Sequence, residues 1–171
     1  MLFFDTRYLI RRPQTEVFTC LSDFQRYLMR LPEFYGAHLS ADETPTEPGK
    51  VYWISVPESA YAYRTRLELV EVCAPERLVY DYQYTRVDDD APLSAREGPM
   101  PWDRARVTLA CSSCQEGTQV SAQMHVFGVQ GFFARWKTSA LITACARAQK
   151  SANDNMVRVI ENVLADSTVD R

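Results

Sequence analysis

Residues 131–166 read GFFARWKTSALITACARAQKSANDNMVRVIENVLAD, with no proline and no glycine after the first residue. At ~1.5 Å per residue, a helix over this stretch spans roughly 50 Å, enough to cross a small domain. Leu141, Cys145, Ala148, Ala152, Met156, Val159 and Val163 follow one another at steps of three or four. That is the period of a single buried stripe. The ends of the stretch are bulky, with Phe132, Phe133 and Trp136 at the start and Ile160, Val163 and Leu164 at the finish. The middle is small, built from Ala140, Ala144, Cys145, Ala146, Ala148 and Ala152. Such a helix either lies very close to its partner or roofs a pocket, with Ala144 and Ala148 bordering the space.

The remainder of the chain must therefore supply what this helix covers. Residues 3–11 alternate apolar and polar, which predicts a strand. Pro13 ends it and opens a short helix with Val17, Phe18 and Leu21 inward. Ser22 or Asp23 can cap a second short helix, with Phe24, Tyr27, Leu28 and Leu31 inward and Pro32 as its stop. From about residue 35 the period changes to two. Strands are predicted near 36–42, 50–57, 60–72, 77–87, 103–114 and 118–127, so the sheet has about seven, mostly antiparallel. Thr44-Pro45, Pro48-Gly49, Pro57-Glu58 and Ala74-Pro75-Glu76 mark the turns between the early strands, and Gln115-Glu116-Gly117 the last hairpin.

Residues 88–103, DDDAPLSAREGPMPWD, form the one long irregular connection. Loops of this length often act as lids. This one is expected to be mobile, with Met100 and Trp102 as its apolar contacts over a cavity mouth.

At 171 residues the chain is expected to be one domain, 1–171, large enough to bury a core without metal or disulfide staples. A formal net charge of −3 argues against nucleic acid or an anionic membrane as the primary partner. The N-terminal apolar residues precede Arg11-Arg12, the wrong order for a secretory signal, and no run reaches membrane-spanning length. Five scattered cysteines fit a reducing compartment, so a cytoplasmic location is expected.

Strand parity sorts the sheet into two faces. Tyr61, Tyr63, Thr65, Leu67 and Leu69 share one face, as do Leu78, Tyr80, Tyr82 and Tyr84 on the next strand. Val107, Leu109 and Cys111 follow, then Val120, Ala122, Met124 and Val126. The inward face is thus aliphatic with a band of five tyrosines, and each buried hydroxyl needs a partner. Those tyrosines either fill a core or line a pocket. The expected ligand-contacting set is Tyr61, Tyr63, Thr65, Tyr80, Tyr82, Tyr84, Leu109, Met124, Trp102, Trp136, Ala144 and Ala148.

No acid–base constellation emerges. His125 falls outward by parity, and His38 is read as a surface or satisfied residue. Asp88-Asp89-Asp90 lacks the rest of a calcium loop and is read as a solvated charge run. Cys111-Ser-Ser-Cys114 has no second pair for zinc. No metal or cofactor is expected.

The element order, with Glu16-Val17-Phe18 after the proline, Ser22-Asp23, Tyr27 and Pro32, then Glu71-Val72 and Pro75-Glu76-Arg77-Leu78 at a strand turn, resembles the START-like superfamily. This superfamily is also called SRPBCC or Bet v 1-like. In texture the chain is most similar to its polyketide cyclase/dehydrase and coenzyme Q-binding group. The resemblance implies an α+β helix-grip fold: a curved antiparallel sheet around the C-terminal helix, with an apolar cavity between them. It implies a carrier or sensor of a small hydrophobic or aromatic ligand such as a lipid, polyketide or isoprenoid-like molecule. It equally permits an aromatase/cyclase-type enzyme. A third reading is a protein-interaction module with a filled core. Oligomeric state is left open.

Overall fold

The computed structural model describes residues 1–31, 36–41, 46–55 and 63–169. Strand β1 (Leu2–Ile10) leads into helices α1 (Gln14–Ser22) and α2 (Phe24–Tyr27), the second continued by a 3-10 turn, Leu28–Arg30. Strands β2 (His38–Ala41), β3 (Val51–Ser55), β4 (Tyr63–Cys73), β5 (Arg77–Arg86), β6 (Arg104–Cys114) and β7 (Gly117–Phe127) follow, then helix α3 (Phe132–Val169). The expected strand ends at 42, 56–57 and 60–62 lie outside the described residues. The strands form one antiparallel sheet in the order β1-β7-β6-β5-β4-β3-β2.

Local chemistry explains the opening. Asp23 accepts a hydrogen bond from the backbone N–H of Arg26 at 3.2 Å and so caps α2, as a side-chain carboxylate does at a helix start. Phe24, Tyr27, Leu28 and Leu31 are all buried beneath it. Gln14 ties α1 to the sheet by donating from Nε2 to the Cys111 carbonyl at 2.9 Å and to that of Pro75 at 3.2 Å. At the last hairpin Gly117 has φ +137° and lies against the Ile10 carbonyl and the Arg11 backbone, a place with no room for a side chain.

Helix α3 is a single unbroken element, roughly 57 Å long at ~1.5 Å per residue, with no break at Ser151. Its buried side is rotated from the stripe that apolar spacing selects. Thr138, Cys145, Gln149, Asn153, Met156, Ile160 and Val163 are buried or half-buried, whereas Ala144, Ala148 and Ala152 are exposed. The reason lies in β1, whose far edge has no neighbouring strand among the described residues. Gln149 Nε2 donates to the Asp5 carbonyl at 3.1 Å. Asn153 Nδ2 donates to the Thr6 hydroxyl at 2.7 Å, and that hydroxyl donates back to Asn153 Oδ1 at 2.9 Å. The helix packs chiefly on β1, α1 and α2, and mid-helix it presents amides because an open strand edge needs hydrogen-bonding partners.

Asn153→Leu would restore the apolar spacing but remove the Thr6 partner. The expected result is a loss of about 1–2 kcal/mol in urea unfolding. A variant as stable as the parent would show that β1 does not depend on this amide.

Candidate functional site

Cross-strand register lays the concave face out in rows. Leu78, Leu109, Ala122 and Thr6 form one row, and Tyr80, Val107, Met124 and Phe4 the next. Leu67, Tyr82, Ala105 and Val126 form a third, and Thr65 opposite Tyr84 begins a fourth. In these first two rows Leu78, Leu109, Ala122, Tyr80, Val107 and Met124 are buried, and Thr6 and Phe4 at the β1 edge are half-buried. Phe24 of α2 packs edge-on against Tyr52 at 4.9 Å and Tyr80 at 5.1 Å between ring centres. Tyr80 and Leu109, expected to contact ligand, are core residues here, and the expected Met124 is buried in the same cluster. The α1–α2 pair fills this end of the sheet.

The other end is only partly covered. Tyr63, Thr65, Tyr82 and Tyr84 are each half-buried. Tyr63 meets Tyr84 edge-on at 5.2 Å, and Tyr84 meets Tyr82 at 6.4 Å, so the rings form a ladder across β4 and β5. The Tyr82 hydroxyl contacts Met124 Sδ at 3.8 Å. Cys145 of α3 lies close enough to raise the Tyr82 phenol electrostatically. On the same side of α3, Leu141, Ile142 and Cys145 are half-buried. The half-buried tyrosines thus sit beside Met124 and toward the N-terminal half of α3, where Cys145 approaches Tyr82, and this region is the candidate cleft. Ala105, directly across from Tyr82, is fully buried.

Of the other expected residues, Tyr61 lies outside the described residues. Ala144 and Ala148 sit on the outward side of α3, and Leu141 and Cys145 occupy the inward positions instead. Trp136 is 66% exposed and points away from the cleft's enclosure. Trp102 is 4% exposed and packs at 5.0 Å on Phe3, which a bulge between Leu2 and Phe4 turns inward. It is a core residue, not a lid contact, because its loop is bound at both ends. Leu93 N–H donates to the Tyr84 carbonyl at 2.8 Å, Ala95 N–H to Asp103 Oδ1 at 2.7 Å, and Asp103 N–H to the Phe127 carbonyl at 2.9 Å. The acidic triplet is not wholly solvated: Asp90 pairs with Arg64, and Asp89 lies 3.8 Å from Arg86.

Sequence reasoning gave no sign of a second concavity, a groove of about 1170 Å³ between the open edge of β1 and α3. Asp5, Arg7, Arg11, Lys150, Asp154 and Glu161 line much of it. Its charged walls suit an apolar ligand poorly, so the tyrosine cleft is the better candidate for one.

Burial sets the protonation of the cleft. Desolvation, then the neighbouring Tyr63, pushes the Tyr84 phenol up to about 12, and burial pushes Tyr82 further. Burial also raises the Cys145 thiol. These groups are neutral at physiological pH in any case, and burial moves them further from ionisation.

No family model matches the chain, and no curated protein matches it in sequence. Its likeness is to solved folds. The protein MLL2253 from Mesorhizobium loti aligns over 95% of this chain and 96% of its own, at 16% identity and a TM-score of 0.59. A protein of unknown function from Staphylococcus aureus aligns over 96% and 94%, at 12% identity and a TM-score of 0.62. Ara h 8.0201 aligns over 95% and 97%, at 12% identity and a TM-score of 0.58. The fold is Bet v 1-like, an α+β helix-grip arrangement.

The raised phenols give a stability prediction with a definite sign. A phenol held protonated by folding contributes stability that is complete below its ordinary value of 10.0. That contribution is lost as pH rises from there through about 12, the folded value for Tyr84. Urea midpoints should hold below pH 10 and fall above it, and Tyr84→Phe should flatten the fall. An unchanged slope in the variant would place Tyr84 in solvent.

Proposed function

We propose that the protein holds a small hydrophobic or aromatic molecule in the cleft between the Tyr63–Tyr84–Tyr82 ladder and the Leu141–Cys145 face of α3, as a carrier or sensor. The observation that carries this reading is the unequal filling of one concave face. The α1–α2 end is packed solid with Phe24, Tyr80 and Leu109, while the tyrosine end keeps half-exposed aromatic surface facing a helix. Apolar walls with a few fixed polar groups are what small-ligand sites are made of. The rings offer stacking surfaces, and the neutral phenols offer donors to a ligand's carbonyl or hydroxyl oxygen.

A cyclase-type enzyme would use the same cleft. The described lining supplies protonated phenols but no carboxylate or imidazole to accept a proton, which favours holding a ligand over transforming one. The compartment that fits this reading is a reducing one, the cytoplasm, given that all five cysteines are free.

Cys145→Trp is the test. If the cleft is space for a ligand, the indole fills it. Binding of a fluorescent apolar probe should weaken by about tenfold or more, while stability holds within about 1 kcal/mol. Ala148→Leu, on the outward side of α3, should change neither quantity. Native mass spectrometry of the purified protein should show a co-purifying apolar molecule that the Cys145→Trp protein lacks. Unaltered probe binding in Cys145→Trp would move the site elsewhere.

A further inference from the structure

The start of α3 carries the most exposed large aromatics among the described residues. Phe132 is 78% exposed, Phe133 82% and Trp136 66%. At ~100° per residue, positions 132, 133 and 136 fall within about one third of the helix circumference, so the three rings share one side. Phe132 and Phe133 stack edge-on at 5.8 Å. That side is opposite Leu141, Ile142 and Cys145, which face the cleft. Three exposed rings on one helical turn cost solvation, and such patches mark interaction surfaces.

Charge identifies the occupant. The net charge of −3 conceals an uneven distribution. From Gly117 to Asn153 the chain contains no aspartate or glutamate, and α3 there carries Arg135, Lys137, Arg147 and Lys150, all exposed. Arg135 and Lys137 flank the aromatic side. Two copies of this chain meeting through this patch would bring like charges together. An aromatic tip with flanking cations instead matches an anionic lipid interface, where Phe and Trp enter the headgroup boundary and Arg and Lys meet the phosphates. Gly128, with φ +77° and its α-carbon against the Asp103 carboxylate, pins the turn that leads into this helix end.

We infer that the first turn of α3 is a docking surface for an anionic lipid bilayer, distinct from the cleft and independent of what the cleft holds. No helix among the described residues is long and apolar enough to cross a membrane, so the contact would be interfacial.

Vesicles of phosphatidylcholine alone, and of phosphatidylcholine mixed with phosphatidylserine, are the probes. The full chain should co-sediment with the serine-containing vesicles and release as salt rises. The Phe132→Ser/Phe133→Ser variant, altered only at exposed rings, should lose roughly tenfold or more of that partitioning. Arg135→Gln/Lys137→Gln should lower it and reduce its salt dependence. Trp136 emission should shift to the blue on binding, since Trp102 is already buried and Trp53 is covered by Arg64 at 4.0 Å. Equal binding to both vesicle types, or equal binding by parent and Phe132→Ser/Phe133→Ser, would overturn the proposal. So would lipid-free self-association that this double variant abolishes, which would assign the patch to a second copy. The Cys145→Trp protein should still bind vesicles, so failure of the cleft reading and failure of this one are separate results.

Discussion

An antiparallel sheet that curves without closing leaves its first strand with backbone groups on an unpaired edge, and much of this molecule follows from how that edge is met. A further strand would have closed the sheet further and consumed the concave face. Helix α3 meets it instead, with Gln149 on the Asp5 carbonyl and Asn153 on Thr6. Side-chain amides can serve a strand edge only if the helix lies along it. The helix is thereby held toward the β1 side, and the ground between it and β4–β5 is left to side chains alone.

Those side chains are distributed unequally. The short helices deliver Phe24, Tyr27 and Leu28 beneath one half of the sheet, where they meet Tyr52 and Tyr80. Tyr27 also reaches α3, its hydroxyl 2.7 Å from Met156 Sδ, so the far half of the long helix is locked to the same cluster. Buried aromatics gather there, and such side chains carry much of a core's apolar burial. Among the described residues no short helix covers the other half, where the tyrosine ladder is half-buried. The buried cluster at one end of the sheet and the half-buried tyrosines at the other differ by the same short chain segment, residues 14–30.

Much of this was legible in the sequence. Period-two runs located every strand to within a few residues, and parity put Leu67, Leu69, Leu78, Val107, Val120, Met124 and Val126 on the buried face. Asp23 was readable as a cap because its chemistry is local. What failed was whatever depended on a distant partner. Apolar spacing alone turned α3 toward Ala148 and Ala152, because it could not know that Gln149 and Asn153 would be needed by β1, nearly 150 residues earlier in the chain. Trp102 read as a loop residue because nothing near it in sequence announces the bulge that brings Phe3 inward. Tyr80 and Tyr82 have the same parity and the same side chain. Phe24, from another element, packs on Tyr80 and helps make it a core residue, while Tyr82 stays half-buried.

The same partition bears on why tyrosine, not phenylalanine, occupies the open end. A half-exposed phenylalanine ladder would present continuous apolar surface to water, and it would favour association over a vacant cleft. Phenols let the ladder be wetted while remaining uncharged, and burial moves them still further from ionisation. A carboxylate in that position would have had to be neutralised or paired before an apolar molecule could enter. The ladder thus combines aromatic surface with hydroxyls that water can solvate. The cations and exposed rings of α3 are kept on the opposite side of the helix, where they do not disturb that balance.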